Sequence, residues 1–290
     1  DLGNLGNAYA ALGETRKAID YYEQALAISR EIGDRRGEEN ALGSLGNAYA
    51  DLGETSKAIE FYEQTLVIAR EIGDRRGEGN VLGNLGLAYA DLGETRQAIE
   101  YYEQQLVITR EIGDRMGEGA DLGNLGNAYA ALGETRKAVE YYEQQLVITR
   151  EIGDRMGEGA DLGNLGNAYA ALGETRKAID YYEQALAISR EIGDRRGEGA
   201  ALGNMGIAYY DLGETHKAIE YYEQYLAIAH EIGDRRGEGN VLWNMSLALE
   251  ELDDRAKAIE CAKDALKIRE EIEDPRAEKV RRKLQEWGNQ

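Results

Sequence analysis

The chain has 290 residues, with 34 Lys and Arg against 55 Asp and Glu for a formal net charge of −21. That excess disfavours nucleic-acid backbones and anionic membrane surfaces and leaves a neutral or basic partner as the better fit. One cysteine, Cys261, excludes an internal disulfide, and no apolar run approaches the roughly 18 residues of a spanning helix, so a reduced, cytoplasmic setting is expected.

Repetition overrides what length alone suggests about domain number. In blocks of forty, Leu5, Leu45, Leu85, Leu125, Leu165, Met205 and Met245 fall in one column with no insertion. Residues 1–38 are identical to 161–198, and 101–138 to 141–178, which points to recent duplication or design. The 36 glycines recur at fixed offsets rather than in Gly/Ser runs, so they punctuate structure.

In chain order, Asp1 enters midway through a helix, with no Met, leader or cap, which implies a piece of a longer chain. One complete block then serves for all. Leu42, Leu45, Tyr49 and Leu52 keep a helical spacing, predicting a first, inner helix over Asp34 to Leu52. Gly53 supplies a left-handed stop and Thr55 a side-chain acceptor for the next start. In the second, outer helix Ala58, Ile59, Tyr62, Thr65, Leu66, Ala69 and Ile72 share one face, while Glu60, Glu63, Gln64 and Glu71 face solvent. Gly73 ends it and Asp74 caps the following helix. No strand pattern appears.

Leu45, Gly46, Tyr49, Gly53, Ala58, Tyr62 and Leu66 resemble, in order, the signature of the tetratricopeptide repeat family, and the resemblance covers essentially the whole chain. The family repeat is usually about 34 residues. Here some six more, in the string Arg-Glu-Ile-Gly-Asp, replace the usual proline, a form similar to Pins-type polarity adaptors and to sensor arrays of bacterial signalling ATPases. The resemblance implies an all-α, right-handed superhelical solenoid of about seven antiparallel helix hairpins plus a C-terminal capping helix, with inner helices lining a concave groove. Residues 1–290 then form a single array whose first inner helix is truncated.

The last block departs most, with Trp243 and Ser246 for Gly, and Leu249 and Ala262 for Tyr. Asp274 at an N-cap and Pro275 at the first helical position start a terminal helix over 275–290, whose Ala277, Val280, Leu284 and Trp287 form one apolar stripe suited to closing the array.

No catalytic chemistry is expected: His216 and His230 occupy outer-helix columns held in the preceding repeats by Arg or Ser, and no ligand cluster or phosphate loop occurs. Gly77-Glu78-Gly79 follows a helix rather than a strand, and recurring carboxylates such as Glu60 and Glu63 fit a solvated face. Catalytic residues, metals and cofactors are accordingly expected to be none.

What the groove offers is carboxamide. Asn4, Asn84, Asn124, Asn164, Asn204 and Asn244 form one column, broken by Ser44, and Asn7, Asn47, Asn127 and Asn167 a second, three residues later on the same face. A ladder of donor–acceptor groups can hold the backbone of an extended peptide, a use the resemblance supports; the alternative is that it bonds neighbouring repeats. The inner-helix Lys and Arg of family members that clamp a carboxyl terminus are replaced by Gly, Asn and Ala. Asp51, Asp91 and Asp211 add negative charge. In the C-terminal part Ile207, Tyr210, Trp243 and Leu247 turn the pattern apolar, as a pocket for one hydrophobic anchor or as contacts of the terminal helix. The expectation is a non-enzymatic protein- or peptide-binding scaffold; alternatives are a sensor segment of a larger signalling ATPase, or an array that self-associates end to end through its uncapped first helix.

Overall fold

The computed structural model describes residues 2–288. Asp1 and the last two residues of the expected terminal helix lie outside them. Fifteen α-helices and no strand make up the described residues: α1 (Leu2–Ala11), α2 (Thr15–Ile32), α3 (Arg35–Asp51), α4 (Thr55–Ile72), α5 (Arg75–Asp91), α6 (Thr95–Glu111), α7 (Arg115–Ala131), α8 (Thr135–Ile152), α9 (Arg155–Ala171), α10 (Thr175–Ile192), α11 (Arg195–Asp211), α12 (Thr215–Ile232), α13 (Arg235–Glu251), α14 (Arg255–Glu271) and α15 (Ala277–Gly288).

The helix ends follow from local chemistry. Gly33, Gly73, Gly193 and Gly233 sit in the left-handed region at φ 70–72° behind outer helices, with their N–H groups on the last turn's carbonyls. Asp34, Asp74, Asp114, Asp154, Asp194 and Asp234 then each accept the N–H of the residue three on, as Asp74 Oδ1 does from Gly77 at 2.8 Å. The outer helices start differently from expectation. Thr55 is already helical, and Glu54 occupies the cap position without a side-chain hydrogen bond. The tight turn set by Gly53 at φ 73° fixes that start without a capping acceptor.

Contacts group into two compact units, one ending at Ile148 and one beginning at Thr149. In the first, successive helices pack in chain order from α1 to α7; in the second, from α9 to α15. The hairpin crossing depends on glycine. A Cβ on Gly46 would lie 2.5 Å from Tyr62 Cδ1, and Gly86 and Gly126 meet Tyr102 and Tyr142 in the same way. Each tyrosine ring thus lies flat on bare backbone, beside fully buried Leu45, Leu85 and Leu125.

Where the repeat exceeds the family length, each joint holds a buried glutamate. Glu78, 6% exposed, accepts from Arg70 Nε at 2.7 Å and from Arg75, which continues to Glu111 of the next hairpin. Glu38, Glu118, Glu158 and Glu198 repeat the arrangement, and at Glu238 the first arginine is replaced by His230, at 2.7 Å. Burial pushes Glu78 upward, but the hydrogen bonds from Arg70 and Arg75 outweigh it and hold the carboxyl below its ordinary value.

The terminal helix begins two residues later than expected. Asp274 accepts from the Arg276 N–H at 2.9 Å and from its guanidinium at 2.6 Å, so Pro275 and Arg276 form a turn and α15 starts at Ala277. That ion pair holds Asp274 well below the carboxylate range. Val280 and Trp287 enter one core cluster with Leu242, Trp243 and Leu249, against which Leu247 and Leu284 pack. Trp287 Nε1 donates to Glu250 Oε1 at 2.6 Å, and Arg255 donates to the Trp287 carbonyl at 2.8 Å.

Candidate functional site: an asparagine-bearing cleft

The first helix of each hairpin carries the carboxamide columns, and the structure gives them two kinds of partner. The Tyr62, Tyr142 and Tyr182 hydroxyls donate to Oδ1 of Asn47, Asn127 and Asn167, each at 2.8 Å. Burial pushes the Tyr62 and Tyr182 phenols up to about 12, so they remain donors. Neighbouring repeats are also linked: Asn84 Nδ2 donates to Asn47 Oδ1 at 3.2 Å, and Asn204 Nδ2 to Asn167 Oδ1 at 3.1 Å. The inter-repeat role of the ladder is therefore present in both units. These bonds occupy Oδ1 of Asn127 and Asn167, while their Nδ2 groups, and both ends of partly buried Asn124 and Asn164, have no partner among the described residues.

In the second unit Asn164, Asn167 and Asn204 line one cleft of about 290 Å³ with Gly163, Ala185 and Ser189. Its origin is a mismatch of small residues. Outer-helix side chains elsewhere cover the inner-helix glycines: Gln105 lies over Gly83, Gln145 over Gly123, and Tyr225 over Gly203 with Cδ1 3.0 Å from where a Cβ would be. In the last hairpin the sizes are exchanged, Ala265 and Trp243 sharing a core cluster. At Gly163 the facing residue is Ala185, and nothing lies within 4 Å of a Cβ built there. The same pairing of Gly3 with Ala25 opens a cleft of about 470 Å³ in the first unit, with Asn4 and Asn7 in its wall.

The apolar residues of the C-terminal part are placed in two groups. Trp243, 7% exposed, is packed in the α13–α15 cluster, and with Leu247 it floors a surface recess rimmed by Lys279, Arg282, Lys283 and Glu286. Ile207, 43% exposed, and half-buried Tyr210 lie one hairpin earlier and line neither that recess nor the asparagine cleft. Asp51, Asp91 and Asp211 are exposed at their helix ends.

Two buried carboxyls escaped the sequence reading. Asp121 and Asp161, 0% and 1% exposed, each accept from a threonine of the preceding helix, Thr109 at 2.8 Å and Thr149 at 2.9 Å. Asp121 Oδ1 is buried without a partner. Burial raises Asp121 to about 7 and Asp161 to about 6. The signal was present: after Asp1 their column holds Ala41, Val81, Ala201 and Val241 in the other repeats, and their partners' column Ser29, Ala69, Ser189 and Ala229.

Among the described residues no group of three or more His, Cys, Asp or Glu could hold a metal ion, and no helix is long and apolar enough to cross a membrane.

The repeat itself matches a known family. The tetratricopeptide repeat profile aligns six times, over residues 2–71, 37–111, 77–151, 120–191, 160–231 and 197–271. The chain belongs to the tetratricopeptide repeat family. Several solved structures resemble the chain at low identity. A Signal Transduction ATPase with Numerous Domains from Pyrococcus horikoshii, with a tetratricopeptide repeat sensor, matches at TM-score 0.74 and 22% identity, covering 91% of this chain and 40% of that one. Aspartyl phosphate phosphatase F from Bacillus subtilis matches at 0.69 and 18%, covering 91% and 74%. A putative kinesin light chain from Podosopora anserina with nearly identical repeats matches at 0.58 and 24%, covering 67% and 95%. At these identities the likeness speaks for the fold. No curated protein matches the sequence.

Proposed function

We propose that the chain is a non-enzymatic scaffold that binds an extended, neutral or basic polypeptide through the asparagine face of its first helices. The observation that carries this reading is the cleft at Ala185, where Asn164, Asn167 and Asn204 meet, the amide donors of Asn164 and Asn167 unpaired, beside partly buried glycine backbone. Amide pairs match peptide backbone irrespective of side chains, and small flanking residues let a strand approach closely. Ile207 and Tyr210 of α11, and Trp243 and Leu247 of α13, then offer apolar contacts within the second unit, and Asn84, Asn124 and Asn127 offer the same carboxamide within the first.

The test is to select binders from a random peptide library on the full chain and repeat the measurement with Asn164, Asn167 and Asn204 all changed to Ala. Losing several hydrogen bonds at about 0.5–1.5 kcal/mol each predicts affinity reduced well beyond tenfold. Unchanged affinity, with a lower melting temperature, would assign the asparagines to repeat–repeat bonding alone. A second reading, as the sensor segment of a signalling ATPase, is favoured by the Pyrococcus match, of whose length the chain spans 40%. A nucleotide-binding domain encoded in the same gene would select it.

A further inference from the structure

The cleft at Ala185 contains polar groups that a peptide backbone does not explain. Ser189 is 5% exposed, lines the cleft, and has no hydrogen bond from its hydroxyl to any described residue. A helical serine normally finds a carbonyl one turn back, as Thr65 does with Phe61 at 2.8 Å. Ser189 Oγ instead stands 2.7 Å from the point a Cβ on Gly197 would occupy, and Asp194 Oδ2 stands nearer still to that same point. The two oxygens therefore flank one small space.

Asp194 is half-satisfied as well. Its Oδ1 accepts the N–H groups of Arg196 and Gly197, at 3.1 and 3.0 Å, and Oδ2 has no cation among the described residues. The equivalent Asp74 Oδ2 has one, Arg36 at 3.2 Å from the preceding repeat. In front of Asp194 that column holds Met156, a neutral side chain in the cleft wall. The full negative charge of the carboxylate exceeds the roughly half positive charge of the α11 N-terminus that it caps. No cationic residue lines the cleft.

We infer that the Ala185 cleft is a subsite for a primary ammonium, the side chain of a lysine in the bound polypeptide. An ammonium has three donors and no acceptor. Asp194 Oδ2, Ser189 Oγ and the free Asn164 Oδ1 supply three acceptors, and Met156 and Ile192 supply apolar surface for the methylene stem. The vacancy left by Ala185 is what admits the side chain; glutamine in the same column closes the equivalent space over Gly83 and Gly123. The Ala25 cleft is a second copy, with Ser29, 8% exposed, and Asp34 in the same positions.

The inference rests on the proposed function only for the carrier of the ammonium. Its test therefore uses a single residue as probe. The full chain is titrated with Nα-acetyl-lysine methylamide while the methyl NMR signals of Ala185 and Met156 are followed. Saturable shifts are expected. They should be absent for the Nζ-acetylated probe and, followed at Met156, in Ala185→Gln, and at least tenfold weaker in Asp194→Asn, which keeps the capping acceptor. Melting curves of both variants within a few degrees of the parent show that the fold is kept. No shift in the parent, equal shifts with the Nζ-acetylated probe, or undiminished shifts in Ala185→Gln would overturn the assignment. So would equally tight binding of putrescine, which would mark a free-amine site. Each leaves the library experiment with the asparagine variants able to stand by itself.

Discussion

Two sets of buried carboxyls pull stability in opposite directions with pH. Glu78 is held below its ordinary value of 4.5 in the folded chain, so its contribution is present above that pH and is lost on acidification. Asp121 and Asp161 are raised from 3.8 to about 7 and about 6, so their contribution is fully present below pH 3.8 and is lost as pH rises through that window. Asp121→Ala places there the residue of Ala41 and Ala201, and Thr109 keeps its bond to the Leu106 carbonyl at 3.1 Å. At about pH 8 this variant should be more stable than the parent by about 1–3 kcal/mol, an advantage that vanishes near pH 4. Melting temperature against pH checks it, and a parallel offset at all pH values would show that the carboxyl does not titrate. Glycine at the hairpin crossing gives the reverse case. Gly126→Ala improves helix propensity by about 1 kcal/mol yet drives a Cβ into the Tyr142 ring. Overpacking should win, for a net loss of about 1–3 kcal/mol by denaturant titration.

At the scale of elements, α15 is held by Val280 and Trp287 in the core and by the Trp287–Glu250 and Arg255–Trp287 bonds. Trp287→Ala should cost about 3–5 kcal/mol and expose Trp243, read as a red shift of its fluorescence. Unchanged fluorescence would mean that α15 does not cover the last hairpin. The turns around α14 differ from the others in a second way. Asp253 and Glu273 take φ 62° and 53°, a region occupied in earlier repeats by Gly213, Gly233 and their equivalents. Restoring glycine at both should stabilise by about 0.5–1 kcal/mol per site, despite the added freedom of the unfolded chain.

At the scale of the molecule, nearly identical hairpins coupled to their neighbours behave as a one-dimensional array. Deleting residues 41–80 within the first unit joins surfaces that already fit, and should leave a folded, cooperatively melting chain; loss of helical circular dichroism at room temperature would refute that. The net charge of −21 sets self-repulsion against the ion-pair ladder of Arg70, Glu78, Arg75 and Glu111. Much of the ladder is solvent-exposed, and exposed pairs contribute about 0–1 kcal/mol each. Screening with about 0.5 M salt, where the Debye length is only a few ångströms, should therefore raise the melting temperature. A fall would show that the ladder outweighs the repulsion.

The forty-residue period, apolar spacing and Gly–Asp punctuation determined the helices, their order and the hairpin crossings, because each rests on contacts within a turn or between adjacent columns. The asparagine columns were legible in the same way. Their bonding was not: Tyr142 to Asn127 and Asn204 to Asn167 require the rotation of one helix against another, which spacing leaves open. Glu54 for Thr55 at the helix start, and Ala277 for Pro275, were likewise settled by turn geometry. The cleft at Ala185 is the clearest product of tertiary structure. Gly163 and Ala185 are unremarkable in their own helices, and a space opens only because two small residues face each other across a crossing, as Gly3 and Ala25 also do, where the other repeats set a larger side chain against one of them. Small residues mark close approach or vacancy alike, and the facing partner decides which.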